Sequence, residues 1–123
     1  RSLQLIRVNK AMEELTQYSE GALLNRRNGD LFPLEQAQLF DQTDHQVLQS
    51  GKLQAQEEYL TDHQNKTHVL HTKRVPVYSR GGELQYLLSI SEDITQRKRS
   101  ELALKNTLEE LRIRNHELDN YVY

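Results

Sequence analysis

From Thr95 to Tyr123 the chain runs 29 residues without glycine or proline, and 11 of them are charged, six basic and five acidic. A stretch with no turn signal and this composition predicts one long helix. Its leucines decide what that helix can pack against. Leu104, Leu108, Leu111, Leu118 and Val122 fall at steps of 4, 3, 7 and 4, and Asn115 fills the position the longest step leaves empty. The pattern is an a/d heptad, with d at 104, 111 and 118 and a at 108, 115 and 122. One asparagine at an a position fixes register and favours a parallel two-stranded pairing. The seam is too narrow to join a globular core but suits a second copy, so the sequence predicts a coiled-coil homodimer. The simpler alternative is a lone amphipathic helix packed on its own domain, because coiled-coil segments this short are marginal in isolation.

Composition narrows the function. The chain has 123 residues, enough for one domain, and only 36% are apolar. Its mean hydropathy of -0.83 averages the charged helix with a core of ordinary composition. Sixteen Lys and Arg against 18 Asp and Glu leave a formal charge of -2, which argues against a nucleic-acid partner. With no cysteine there are no disulfides, no thiolate catalysis and no Cys-held metal. No apolar run reaches the roughly 18 residues of a membrane span, and no signal-peptide pattern opens the sequence, which predicts a cytoplasmic protein.

Residues 1–94 predict an α+β domain, with residues 95–123 as a helical linker. Leu3–Val8 is a short strand candidate. Asn9 caps a helix running to about Tyr18, Ser19 caps a turn through Leu24, and Asn28-Gly29-Asp30 is a turn. Pro33 opens a helix that Gly51 ends. Leu53–Leu60, Thr67–Tyr78 and Leu84–Ile94 are strands joined by two polar hairpin loops. The result is an antiparallel sheet with helices on one face. In the last strand Tyr86, Leu88, Ile90 and Ile94 share a face by alternation, and we expect it to point inward. The inward positions Leu15, Leu31, Phe40, Leu48, Leu70, Tyr86, Leu88 and Ile90 are then the candidate ligand pocket, or simply core.

Four segments carry a family likeness. Arg7–Ser19 resembles the strand-to-helix signature of PAS sensor domains, and Asp30-Leu31-Phe32-Pro33 and Asp44–Lys52 resemble motifs of one large PAS subfamily. Ser91–Lys98 resembles the PAC-type junction, Asp-Ile-Thr, that ends a PAS domain and begins a signalling helix. Leu111–Tyr123 is similar to the linker before the phosphoacceptor helix of bacterial two-component sensor histidine kinases. The resemblance implies a PAS fold, a signal junction at Asp93, Ile94 and Thr95, and a kinase domain downstream in cis. The family also places a further strand and an amphipathic helix ahead of Asn9, where eight residues leave room for neither together.

The remaining polar residues give weak chemistry. His116 precedes Glu117-Leu118 as a phosphoacceptor would, but heptad phase puts it on the solvated side. His63, His68 and His71 do not share a metal geometry, because residues three apart on a strand face opposite ways. The resemblance implies an axial ligand on the helix of His45 in haem-binding PAS proteins, but His45 stands too near the helix end to match it, and the family's flavin photosensors need a cysteine that is absent here. Glu57 and Glu58 diverge on a strand, while Asp41 and Asp44 approach on a helix with no nucleophile beside them. Thr95 can cap the exit helix, with Asp93 near its positive end or paired with an Arg or Lys.

These readings predict a PAS sensory module, itself not an enzyme and with no haem, flavin or metal expected. It would relay a small-molecule or partner input through the dimeric seam of Leu104, Leu108, Leu111, Asn115, Leu118 and Val122. The alternatives are a ligand-free dimerisation and spacer module, or the input domain of a non-kinase effector such as a cyclase.

Overall fold

The computed structural model describes residues 4, 5 and 7–121, with side chains in the last helix described up to Glu117. It divides into two units, Arg1–Asp93 and Ile94–Tyr123.

Local capping sets most helix boundaries in the first unit. Helix α1 (Lys10–Thr16) begins where Asn9 Oδ1 accepts the Met12 N–H at 3.0 Å, as the sequence predicts. It stops earlier than expected because Gln17 takes the left-handed conformation, with φ of 61°. Ser19 Oγ accepts from Ala22 N–H at 3.3 Å and opens α2 (Glu20–Leu23). Where a turn is expected at Asn28-Gly29-Asp30, the chain makes one turn of helix, α3 (Asn28–Leu31). Asp30 Oδ2 there accepts the Arg27 N–H at 3.1 Å, supplying an orphan donor with a partner. Of the strand expected at Leu3–Val8, Leu3 and Ile6 lie outside the described residues. Gln4, Leu5, Arg7 and Val8 form no strand. Leu5 instead exchanges backbone hydrogen bonds of 3.0 and 2.6 Å with Arg26 and Asn25, just after α2.

Helix α4 (Leu34–Ser50) follows Pro33 and ends at Gly51, whose N–H donates to the Val47 carbonyl at 2.9 Å. Three strands then pair antiparallel in the order β1 (Gln54–Thr61), β2 (Thr67–Tyr78), β3 (Leu84–Asp93). The β1–β2 loop is closed by Asp62, whose Oδ1 accepts from the Gln64 and Lys66 N–H groups at 2.9 Å each. Phe40, Leu60 and Leu70 form the centre of the core, with Leu15 and Phe32 packed against them. Phe32 meets Phe40 edge to face at 5.4 Å between ring centres.

Register sorts the sheet into two faces, because side chains directly opposite one another in an antiparallel pair point the same way. Glu58 opposes Leu70, Gln54 opposes Arg74, and Leu70, Thr72 and Arg74 oppose Asp93, Ser91 and Ser89. This face looks toward α4. Val77, Val75 and Lys73 oppose Tyr86, Leu88 and Ile90 on the other face. The expected inward placement of Tyr86, Leu88 and Ile90 is therefore corrected: all three stand on the face away from Leu70, each about half exposed. Ile94, expected to share that face, lies past the end of β3 and is buried.

Helix α5 (Thr95–Tyr121) forms the second unit and is continuous, as its lack of glycine and proline predicts.

Gly51 carries the sharpest backbone requirement, with φ of 67° and the Tyr78 hydroxyl 2.8 Å from where a Cβ would stand. We expect Gly51→Ala to lower stability by about 1–2 kcal/mol, read as a reduced urea midpoint at unchanged slope.

Candidate functional site

The helix-facing side of the sheet is charged at its centre. Asp44 reaches it because Gln36, Phe40, Thr43, Asp44 and Val47 repeat at helical spacing and so share one face of α4. Gln36 bonds Thr61, Phe40 enters the core, Thr43 accepts from Gln56 Nε2 at 3.1 Å, and Asp44 meets Arg74. Arg74 Nε donates to Asp44 Oδ1 at 2.6 Å. Its two terminal nitrogens donate to Glu58 Oε2 at 2.9 Å and Oε1 at 3.0 Å, a bidentate fork. The guanidinium side chain is 5% exposed. Asn28 Nδ2 donates to Asp41 Oδ1 at 2.9 Å and approaches Asp44 Oδ2 at 3.5 Å.

Charge is unbalanced here, with two carboxylates on one guanidinium and Asp41 close by. Burial pushes the Asp44 carboxyl up from the ordinary aspartate range, the bond and charge of Arg74 pull against it, and Asp41 adds to the rise. Burial works against the charge on Arg74, but Glu58 first and Asp44 second outweigh it and raise its proton affinity. Glu58 and Glu57 diverge as alternation predicts, Glu58 taking the inner face. Such a cluster fixes position; it brings no nucleophile or oriented base to an open cleft.

A second cluster stands at the end of β3. His68 Nε2 lies 2.8 Å from Asp62 Oδ2, and His68 Nδ1 lies 2.9 Å from Asp93 Oδ2. Burial alone would push Asp62 up, but the His68 bond and the two loop amides override it and hold the carboxyl below its usual range. Asp93, the first residue of the expected junction, thus bonds a histidine that the sequence reading did not name as its partner. Ile94 follows with its carbonyl accepting the Lys98 N–H at 2.9 Å, so Ile94 stands at the cap position and Thr95 is the first helical residue. The role of His68 was missed because its partners lie 6 and 25 positions away and meet only once the hairpin register is known.

The other candidates fall as follows. Leu31, Phe40 and Leu70 are buried, and Leu15 and Leu48 are half-buried. Of the expected seam, Leu104, Leu108 and Leu111 are 61%, 58% and 49% exposed, and Asn115 is exposed as well. The side chain of Leu118 and all of Val122 lie outside the described residues. His63 stacks on Tyr18 at 4.2 Å between ring centres, and His45 Nδ1 lies 2.7 Å from the Asp41 carbonyl. His116 is exposed on α5. Among the described residues no three His, Asp or Glu side chains converge as a metal site would need, and no helix is long and apolar enough to cross a membrane.

A family model described as the PAS fold matches residues 1–99. This chain belongs to the PAS family. The aerobic respiration control sensor protein ArcB of Escherichia coli is 32% identical over 97 residues, which are 79% of this chain and 12% of ArcB. The chain therefore spans about an eighth of the length of that relative. Solved structures agree on the fold. An RNA-binding light-oxygen-voltage receptor superposes with a TM-score of 0.72 at 17% identity, over 86% of this chain and 30% of the receptor. A sensory box histidine kinase/response regulator from Burkholderia thailandensis gives 0.60 at 17%, over 85% of this chain and 79% of that one. This PAS domain is thus homologous to a segment of a sensor protein.

Removing Arg74 leaves two buried carboxylates without their partner. We expect Arg74→Met to cost about 3–5 kcal/mol and Asp44→Asn much less, by urea unfolding. The sign with pH follows from the raised Asp44 carboxyl. Its ionisation weighs against the folded state, so wild-type stability relative to Asp44→Asn falls as pH rises from the ordinary aspartate range through the raised value.

Proposed function

We propose that this chain is the PAS input module of a bacterial histidine kinase, working in the cytoplasm as a dimer through α5. The observation that carries the reading is the row of exposed leucines on α5, Leu104, Leu108 and Leu111, in a helix whose described side chains are exposed from Arg99 onward. Its kinase context is supported by the similarity to a segment of ArcB. Burying one leucine contributes about 1.5–3 kcal/mol, and a second copy in register would bury both rows. An input that favours one packing of sheet and helices would pass along Asp93, Ile94 and Thr95 into the pitch or rotation of the paired helices, and on to a kinase domain in cis. It acts as a population shift, so the ligand or partner has to bind the two states unequally. The module itself contributes binding and relay, not catalysis.

A second reading draws on the interior. The helix-facing side of the sheet is occupied by Phe40, Leu60 and Leu70 and by the Arg74 cluster. A ligand-free spacer that relays motion from an upstream domain needs no more than this. Native mass spectrometry separates the two, since sensing predicts a co-purified small molecule and the spacer reading predicts none.

The dimer is tested by sedimentation equilibrium. We expect the chain to be dimeric at micromolar concentration and Leu108→Glu to make it monomeric with an unchanged domain fold. A monomeric wild-type chain would sink the heptad reading.

A further inference from the structure

The heptad phase of α5 does not stop at its first seam leucine. Carried seven residues toward the N-terminus, the phase that puts Leu104 at d and Leu108 at a puts Arg97 at d and Glu101 at a. Ile94, the a position before these, is 2% exposed and offers a second copy no surface. Two charged layers therefore stand between Ile94 and Leu104 on the stripe of helix that the leucines continue.

The charges in those layers pair along their own helix, and loosely. Glu101 Oε1 lies 3.9 Å from Arg97 Nε and Oε2 lies 3.9 Å from Lys98 Nζ, with the Arg97 and Glu101 side chains 57% and 59% exposed. Pairs this long and this exposed keep most of their water. Closing two parallel helices here would strip that water, and in register it would set like against like. Glu101 would face Glu101 of the second copy and Arg97 would face Arg97, with Lys98 at e beside it. Arg97 and Lys98 against Glu101 leave a net positive charge on this turn of each copy, so pairing along the helix does not remove the repulsion. From Leu104 onward the balance reverses. Leu104, Leu108 and Leu111 are exposed and carry no charge to desolvate, so their burial is favourable.

We propose that the surface α5 offers to a second copy begins at Leu104, and that the turn from Arg97 to Glu101 holds the two helices apart as a charged fork upstream of it. The proposal rests on the dimer reading above and adds a boundary to it. Its consequence is regulatory. The leucine layers stay shut while the separation at Arg97–Glu101 is free to change, so an input acts by drawing the fork together or apart, not by making and breaking the dimer.

The experiment is pulsed electron paramagnetic resonance on the 123-residue chain, whose lack of cysteine lets one introduced thiol carry a nitroxide without background. Arg99→Cys and Asn106→Cys both stand at f, one heptad apart, so a uniform coiled coil gives them the same separation between copies. We expect the distance at 99 to be longer and more broadly distributed than at 106. This arm changes no seam residue and stands whatever the seam variants do. Arg97→Leu with Glu101→Leu should bring the distance at 99 to that at 106 and tighten the dimer about tenfold or more by sedimentation equilibrium. Glu110→Leu, which adds a leucine at c outside the seam, should change neither. Matching narrow distances at 99 and 106 in the otherwise unchanged chain, or a dimer left alone or weakened by the double leucine variant, would overturn the boundary while the dimer stands. A chain that sediments as a monomer overturns the dimer reading, and the boundary with it.

Discussion

One guanidinium holds the long helix of the domain to its sheet. Arg74 lies on the central strand and is gripped from two directions, by Asp44 of α4 and by both oxygens of Glu58 on β1. The apolar cluster at the centre of the core is small, Phe40, Leu60 and Leu70 with two neighbours. Apolar contact is non-directional and leaves a helix room to slide or rotate on a pleated face. A bidentate pair with fixed fork geometry does not. Because the cluster carries an excess negative charge, its net contribution to stability is modest, and its larger effect is to fix one docking of α4. Gln36 on Thr61 and Thr43 on Gln56 continue the same registration along successive turns of the helix.

That ionic seam also explains where sequence reasoning went astray. Alternation was legible in β3, and Tyr86, Leu88 and Ile90 do share a face. The usual inference that the apolar face is the core face fails here, because the helix-facing side is built from Arg74, Thr72 and Glu58 and their partners Ser89 and Ser91. Parity then sends the apolar residues of β3 outward beside Val75 and Val77. Nothing within β3 itself distinguishes the two faces. The decision is made by the pairing of β2 with β3 and by the position of one charged residue in β2, both of them non-local.

The turn expected at Asn28-Gly29-Asp30 is helical and the described residues of Leu3–Val8 form no strand, but the local signals that held did so for the opposite reason. The caps at Asn9 and Ser19, the left-handed stop at Gly51 and the loop that Asp62 closes each act within four residues, so their geometry is written in adjacent positions. Asp93 was singled out in the sequence, but its histidine partner was not. His68 drew attention only as one of three histidines, and the three separate completely: one stacks on Tyr18, one bridges two carboxylates, one opposes Glu92 on the outer face. Residue type suggested metal chemistry, whereas register assigns a hydrogen-bonded bridge.

The two units are stabilised by different means. Within the first, buried bonds and a small core specify a single arrangement. Along α5 the polar pairs are exposed, Glu109 with Arg112 at 2.6 Å and Glu101 with Arg97 and Lys98 at 3.9 Å. Pairs of that kind contribute about 0.3–0.5 kcal/mol each and are screened by salt. They support helicity without specifying a partner or an angle. In the proposed dimer, specification would come from the leucine row, and from Asn115 selecting one register among several. A helix held by weak pairs and a narrow seam has neighbouring pitches that differ little in energy. The end of β3 does not, since Asp93 is held through His68 to a buried loop carboxylate.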